Sequence, residues 1–138
     1  MRISHKTNQG IPIILIQGEI EQHTLPMIHD YMDPLFEEVK NDSEAPGIIF
    51  DMSEVKFIDS VGIGFLCGRH ITLKRLQKKL ILCDINEYIW EILKELSLHD
   101  AFYIHTDEET IVEKLKASKK RYGFLSKSLL KALSPKSH

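Results

Sequence analysis

Short apolar runs alternate with segments of helical periodicity along most of this chain. The runs at 47–52 (GIIFDM) and 80–84 (LILCD) are short for helices and are typical of strands buried in the middle of a sheet. Residues 60–77, between them, carry leucines at helical spacing, and residues 88–96 repeat that spacing after the second run. Strands that alternate with helices in this way predict an α/β fold with a largely parallel sheet.

The two ends of the pattern add a hairpin and three further elements. Asn8-Gln9-Gly10 separates two extended segments, which predicts a β-hairpin at the start of a mixed sheet. Thr24 is expected to cap the helix that follows, with Pro26 in its first turn. A strand at 101–104 and a helix from Asp107 complete a single domain with about four helices, in the order β-β-α-β-α-β-α-β-α.

Charge is distributed unevenly over the 138 residues. We expect one domain at 1–118 and a basic tail at 119–138, whose pattern is as compatible with a short amphipathic helix as with disorder. All 20 acidic residues and 12 of the 18 basic residues precede the tail, so the formal net charge of −2 divides into −8 for the domain and +6 for the tail. An acidic domain is a poor nucleic-acid surface, because phosphate binding needs clustered cations.

The cysteines and the N-terminus indicate a compartment. Cys67 and Cys83 lie in apolar runs and form no Cys-x-x-Cys pair, so we expect two core thiols in a reducing environment. The first ten residues lack the apolar core of a signal peptide, and no apolar stretch approaches the roughly 18 residues of a membrane span. These features predict a cytoplasmic protein without a transmembrane segment.

The segment 57–66 (FIDSVGIGFL) stands at a predicted strand-to-helix junction. Ser60 is expected at the helix N-terminus, where free backbone N–H groups and the helix dipole accommodate an anion. A purely structural alternative is that Asp59 or Ser60 only caps the helix. Gly62 and Gly64 speak against that alternative, because each costs up to about 1 kcal/mol of helix stability relative to alanine. Small residues there would leave the backbone and Ser60 accessible to a large partner.

Three segments resemble a known family. The run at 50–66 (FDMSEVKFIDSVGIGFL) is similar to the signature of the STAS domain of bacterial anti-sigma factor antagonists. Residues 18–24 (GEIEQHT) resemble the family's Gly-Glu-apolar-Asp segment, with Glu21 in place of the frequent aspartate. The strand at 80–84 with its following leucines is the third match, and the resemblance covers about residues 1–118.

The resemblance implies a regulatory role without catalysis or a cofactor. Ser60 would be the phospho-acceptor: an anti-sigma factor that is also a serine kinase binds bare Ser60, which frees a sigma factor, and is released after phosphorylating it. A separate serine phosphatase reverses the modification. The helical pattern does not decide whether Ile63 and Phe65 face a partner or the core. The predicted partner-binding residues lie in two segments, Asp59, Ser60, Val61, Gly62 and Ile63 in one, and Glu21, Gln22, His23 and Thr24 in the other.

Other functions remain open at this point. Domains of the same fold serve in stress-signalling complexes and in bacterial lipid-transport assemblies, which would dock through the same region. Gly62, Gly64 and Gly68, followed by Asp84, form a loose version of the dinucleotide-binding fingerprint. The seven histidines show no metal-ligand spacing, and Ser60 lacks the Gly-x-Ser-x-Gly elbow of hydrolases. We therefore expect neither a metal centre nor a nucleophilic enzyme.

Overall fold

A computed structural model describes residues 1–122, with side chains described up to residue 117. The predicted α/β class is confirmed: a mixed, mostly parallel sheet opens with a hairpin and is accompanied by four helices. The last helix continues to Tyr122, and the rest of the predicted tail, 123–138, lies outside the described residues. The elements are β1 (Arg2–Asn8), β2 (Ile11–Ile20), α1 (Leu25–Asn41), β3 (Gly47–Asp51), β4 (Val55–Ile58), α2 (Ser60–Arg75), β5 (Lys79–Cys83), α3 (Glu87–Glu95), β6 (Tyr103–His105) and α4 (Glu108–Tyr122).

The strand β4 was not predicted. It continues in the direction of β3 and pairs in parallel with the second half of β2, whose first half pairs with β3. Only Val55 and Ile58 of its four residues are buried, and the two residues between them are exposed. This pattern lacks the alternation by which a half-buried strand is recognised in a sequence. As a result α2 follows β4 directly, not β3.

The pairing of β2 with β4 positions the region of interest. The sheet order is β1-β2-β3-β5-β6, with β4 attached to β2, and all pairs except β1 with β2 are parallel. Ile20 at the end of β2 lies opposite Ile58 at the end of β4. Because parallel strands end at the same edge of a sheet, the segments 21–24 and 59–63 emerge next to each other.

Apolar layers cover both faces of the sheet. The larger layer joins one face to α1, α2 and α3, and the smaller joins the other face to α4. Residues of β3 and β5 contribute to both layers, which is why these strands appear in the sequence as continuous apolar runs. Within residues 1–122, none of the helices combines the length and apolar character that crossing a membrane requires.

The predicted cap of α1 is wrong in one respect. Thr24 does precede the helix, and Pro26 does lie in its first turn, but the Thr24 side chain makes no capping bond. Its hydroxyl donates instead to the carbonyl oxygen of Glu19, over 2.7 Å, and accepts a 3.1 Å bond from the backbone N–H of Glu21. Thr24 therefore stabilises the turn between β2 and α1 through these two hydrogen bonds.

Candidate functional site

The two predicted segments are joined by direct hydrogen bonds. The backbone N–H of Asp59 donates to the carbonyl oxygen of Ile20 over 3.3 Å. The Asp59 carboxylate accepts a 3.1 Å bond from the backbone N–H of Gln22, which lies 37 positions away in the sequence. The β2–α1 turn is itself closed by bonds from Thr24 and Leu25 to the carbonyl oxygen of Glu21. The structure thus brings the turn and the start of α2 into one surface.

Asp59 caps α2. One of its carboxylate oxygens accepts a 2.8 Å bond from the backbone N–H of Gly62, while the other accepts the bond from Gln22. These bonds, above all the one from Gly62, hold the pKa of Asp59 below its ordinary value, so the carboxylate is ionised at neutral pH. The capping role that the sequence left open between Asp59 and Ser60 therefore belongs to Asp59.

Ser60 is the first residue of α2, and its side chain is exposed. Since Asp59 caps the helix, the Ser60 hydroxyl is not needed for that purpose. The positive end of the helix dipole and the first-turn N–H groups lie at this position and favour an anion. The neighbouring carboxylate of Asp59 would repel one. The helix terminus therefore offsets part of the repulsion that a phosphate on Ser60 would meet.

Gly62 is buried where α2 meets the strand ends. A Cβ atom at this position would lie 2.2 Å from the carbonyl oxygen of Ile20 and 2.7 Å from Cγ1 of Ile58. Real Cβ atoms do not approach other atoms so closely. Glycine is thus required here so that the helix can begin against the sheet, and little of Gly62 is left exposed for the partner contact that the sequence predicted.

Some of the predicted contact residues are buried in the structure, and others are exposed. Ile63 and Phe65 are 6% and 8% exposed and pack in the larger core layer, which answers the question that the helical pattern left open. The partner contact that the sequence predicted for Ile63 therefore has little exposed side chain available to it. Val61, by contrast, is 47% exposed. Of the other predicted contacts, Gln22, His23 and Ser60 are exposed, and Glu21, Thr24 and Asp59 are half-buried.

A shallow groove begins beside Val61 and runs between α1 and α2. Its volume is about 440 Å³. A Cβ atom at Gly64 or Gly68 would meet nothing within 4 Å, so packing inside this domain does not require glycine at either position. The lining residues are Leu25, His29, Val61, Gly64, Phe65, Gly68, Arg69 and Thr72.

A charged cluster that no sequence pattern indicated lies along this groove. Arg69 donates from Nη2 to Oδ1 of Asp33 over 2.6 Å, and the same nitrogen lies 2.7 Å from Nδ1 of His29. The guanidinium also lies 4.5 Å from the centre of the Phe36 ring. The only local signal was the i, i+4 spacing of His29 and Asp33 on α1. No local pattern links them to Arg69, which belongs to α2.

Two exposed aromatic rings come together from β4 and α3. Phe57 of β4 and Tyr88 of α3 stack with their centroids 6.3 Å apart and their planes at 20°. Asn86 holds the two elements together: its side-chain amide donates to the carbonyl oxygen of Val55 over 2.9 Å, and its side-chain oxygen accepts a 2.8 Å bond from the backbone N–H of Ile89. Neither ring stands out in the sequence, because the two come from different elements.

Comparison with known proteins identifies the family. The family model of the STAS domain matches residues 2–111. The chain belongs to the STAS domain family. An anti-sigma F factor antagonist of Paenibacillus polymyxa is 23% identical over 115 residues, which cover 83% of this chain and 95% of that protein. The relatives of this STAS domain thus include anti-sigma factor antagonists, at low identity.

Solved structures confirm the STAS fold. An anti-sigma-factor antagonist (STAS) domain protein of Planctomyces limnophilus aligns with a TM-score of 0.71 and 14% identity, over 83% of this chain and 97% of that one. The Bacillus cell fate determinant SpoIIAA in its phosphorylated form aligns with a TM-score of 0.61 and 17% identity, over 83% and 99% of the two chains.

The alternative sites find no support in the geometry of this STAS domain. Gly62, Gly64 and Gly68 all lie inside α2, so they form no loop before the helix that could cradle a pyrophosphate. Among the residues with described side chains, no group of three or more His, Cys, Asp or Glu could hold a metal ion.

Proposed function

We propose that this STAS domain is an anti-sigma factor antagonist controlled by phosphorylation of Ser60. It binds an anti-sigma factor, which is also a serine kinase, when Ser60 is bare, and this binding frees a sigma factor in the cytoplasm. The kinase transfers a phosphate to Ser60 and the complex separates, until a serine phosphatase restores the hydroxyl. The chain itself catalyses neither reaction. The relative from Paenibacillus polymyxa and the phosphorylated form of SpoIIAA support this proposal by their names.

The proposal depends mainly on one observation, the exposed position of Ser60 next to a capping Asp59. A kinase can reach a hydroxyl on the first residue of α2. Modification of that hydroxyl leaves the helix cap in place, because the cap is supplied by the Asp59 carboxylate. Phosphate can therefore change the surface without unfolding the helix terminus.

The phosphate acts by charge and desolvation. It adds about 1.5 to 2 negative charges at pH 7, beside Asp59 and near the β2–α1 turn. A partner surface fitted to a neutral hydroxyl would have to bury this charge without a counter-ion, which costs several kcal/mol. Each 1.4 kcal/mol changes affinity about tenfold, so a switch of several decades needs no large conformational change.

The groove that begins beside Val61 supplies the rest of the contact surface. Gly64 and Gly68 are exposed and leave the backbone of α2 open to close approach. Glycine in the middle of an exposed helix costs up to about 1 kcal/mol relative to alanine. Access for a partner explains why glycine is present at these positions despite this cost, whereas packing within the domain does not. We therefore include Gln22, His23, Ser60, Val61 and the rim of the groove in the binding surface.

Phosphorylation is tested with purified components. The kinase-type anti-sigma factors of the host are each incubated with this chain and ATP, and peptides are analysed by mass spectrometry. We expect one of them to phosphorylate Ser60 in the wild-type chain and to leave Ser60→Ala unmodified. Phosphate found only at other positions would contradict the proposal.

Binding is tested by calorimetry with that same kinase. Ser60→Ala is expected to bind like the wild type, and the phosphorylated chain at least tenfold more weakly. Ser60→Asp should weaken binding less, because it carries a single charge. Ser53→Asp is the matched control: Ser53 is also exposed, and it lies in the turn before β4. Equal affinities for the bare and phosphorylated chains would refute the switch.

A further inference from the structure

We propose that the anti-sigma factor also contacts an aromatic ledge, defined as Phe57 and Tyr88, and places an arginine or lysine side chain on it. This inference rests on the proposed function, because it specifies the chemistry of the same partner. It adds a second contact region on β4 and α3, outside the two segments that the sequence indicated.

The ledge is exposed and held in place. Phe57 and Tyr88 are 41% and 46% exposed although their rings stack on each other. Asn86 ties the first turn of α3 to β4 through its bond to Val55, so the two elements that carry the rings are held together before any partner arrives. Aromatic side chains are enriched at protein interfaces, and a preordered pair loses little conformational entropy on binding.

Phe57 of the ledge lies close to Ser60, because three residues of chain span at most about 11 Å. Phe57 precedes Ser60 by three residues, and β4 leads without a loop into the cap of α2. A standard interface covers about 800 Å² on each partner. A protein docked over Ser60 and the start of the groove would therefore reach the ledge as well.

The charge around the ledge indicates what it binds. Glu19 of β2 is the strand partner of Phe57, and Glu87 precedes Tyr88 on α3; both are exposed. Lys56, also exposed, is the basic neighbour of Phe57. Residues 1–122, the part of the chain that the structure describes, hold 20 acidic and 15 basic residues and therefore carry a formal charge of −5. Aromatic faces bordered by carboxylates suit a cation, and arginine can stack on a ring while it pairs with a carboxylate.

The test uses the kinase that phosphorylates Ser60 in the assay above, together with the full chain. Phe57→Ala and Tyr88→Ala are compared with Phe57→Leu and Tyr88→Leu, which keep apolar area but remove the aromatic face. Leu96→Ala serves as the matched control, because Leu96 is a 53% exposed apolar residue at the other end of α3. Circular dichroism and urea denaturation establish that every variant folds.

We expect the alanine and leucine variants alike to bind about three- to thirtyfold more weakly, the range given by a cation–π contact. Leu96→Ala should bind within twofold of the wild type. Raising NaCl from 50 to 500 mM should weaken wild-type binding more than binding of Phe57→Ala. If the leucine variants bind with wild-type affinity and the alanine variants bind more weakly, the ledge makes an apolar contact with the partner. That result would overturn the proposal that the ledge binds an arginine or lysine side chain.

The outcomes separate this inference from the proposed function. If phosphorylation of Ser60 weakens binding while all ledge variants bind like the wild type, the proposed contact with the ledge is refuted and the proposed phosphorylation switch is supported. If no kinase-type anti-sigma factor of the host binds the bare chain, the proposed function fails and the ledge contact fails with it.

Discussion

Gly62 of α2 lies directly against the carbonyl oxygen of Ile20 at the end of β2. The space between them is too small for a side chain, since a Cβ atom on Gly62 would lie 2.2 Å from that oxygen. This contact sets the start of α2, and therefore Ser60, next to the β2–α1 turn.

Replacing Gly62 with alanine should displace the helix from the strand. We expect Gly62→Ala to lower the free energy of unfolding by about 2 kcal/mol, because the methyl group meets backbone that cannot yield easily. Gly64→Ala is the control and should be neutral or stabilising by up to about 1 kcal/mol, since its methyl group meets nothing within 4 Å. Urea denaturation followed by circular dichroism measures both. A loss of equal size in the two variants would contradict this account of Gly62.

Asp59 should titrate as a capping carboxylate. The ionised carboxylate accepts the hydrogen bonds from Gly62 and Gln22. These bonds therefore persist above pH 3.8, the ordinary pKa of an aspartate, and are lost as the pH falls through the lower pKa of Asp59 in the folded protein. NMR should show the amide shifts of Gly62 and Gln22 titrating together, with a midpoint below 3.8. In Asp59→Ala both transitions should disappear. Separate midpoints for the two amides would argue against a single shared carboxylate.

His70 should make the stability of the domain depend on pH. It is 6% exposed and packs against Phe102, and burial, with a smaller contribution from Lys74, lowers its pKa below 6.5. The unfolded chain therefore binds a proton more readily, so stability is complete above pH 6.5 and falls as the pH drops below it. One such group contributes at most about 1.4 kcal/mol per pH unit.

The measurement for His70 is the urea midpoint between pH 7.5 and 5.0. The decline should be shallower in His70→Gln than in the wild type. Part of the slope should remain, because burial also lowers the pKa of His105. His70→Gln,His105→Gln should therefore be flatter than either single variant. An unchanged slope in His70→Gln would show that His70 is not the group responsible.

The two cysteines should differ in reactivity. Both are free thiols, but Cys83 is buried, whereas Cys67 is only half-buried and so is less a core residue than the sequence predicted. Burial and the neighbouring acids raise the pKa of Cys83 to about 12, so only about one molecule in ten thousand holds the thiolate at pH 8. Iodoacetamide should label Cys67 slowly and Cys83 more slowly still, as measured by peptide mapping. Equal labelling rates in the folded chain would contradict the burial of Cys83.

Much of the fold could be predicted because its signals are local. The strands β3 and β5 appear as apolar runs since both faces of the sheet are covered, and α2 begins at Ser60, as expected. The strand β4 could not be predicted, because Lys56 and Phe57 are exposed in succession. Whether two successive residues are exposed depends on what packs over the strand, and that is not a property of the strand's own sequence.

The sequence by itself determined the alternation of elements and the acidic character of the chain before its basic tail, because periodicity and charge depend on near neighbours in the chain. Its resemblance to the STAS family made Ser60 the candidate acceptor. Only the tertiary structure decided that Gly62 and Ile63 are buried, that Asp59 binds Gln22, and that Arg69 meets Asp33. It alone placed Tyr88 on Phe57. These contacts join residues of different elements, and strand pairing and helix packing, which act across the whole chain, determine which of those residues meet.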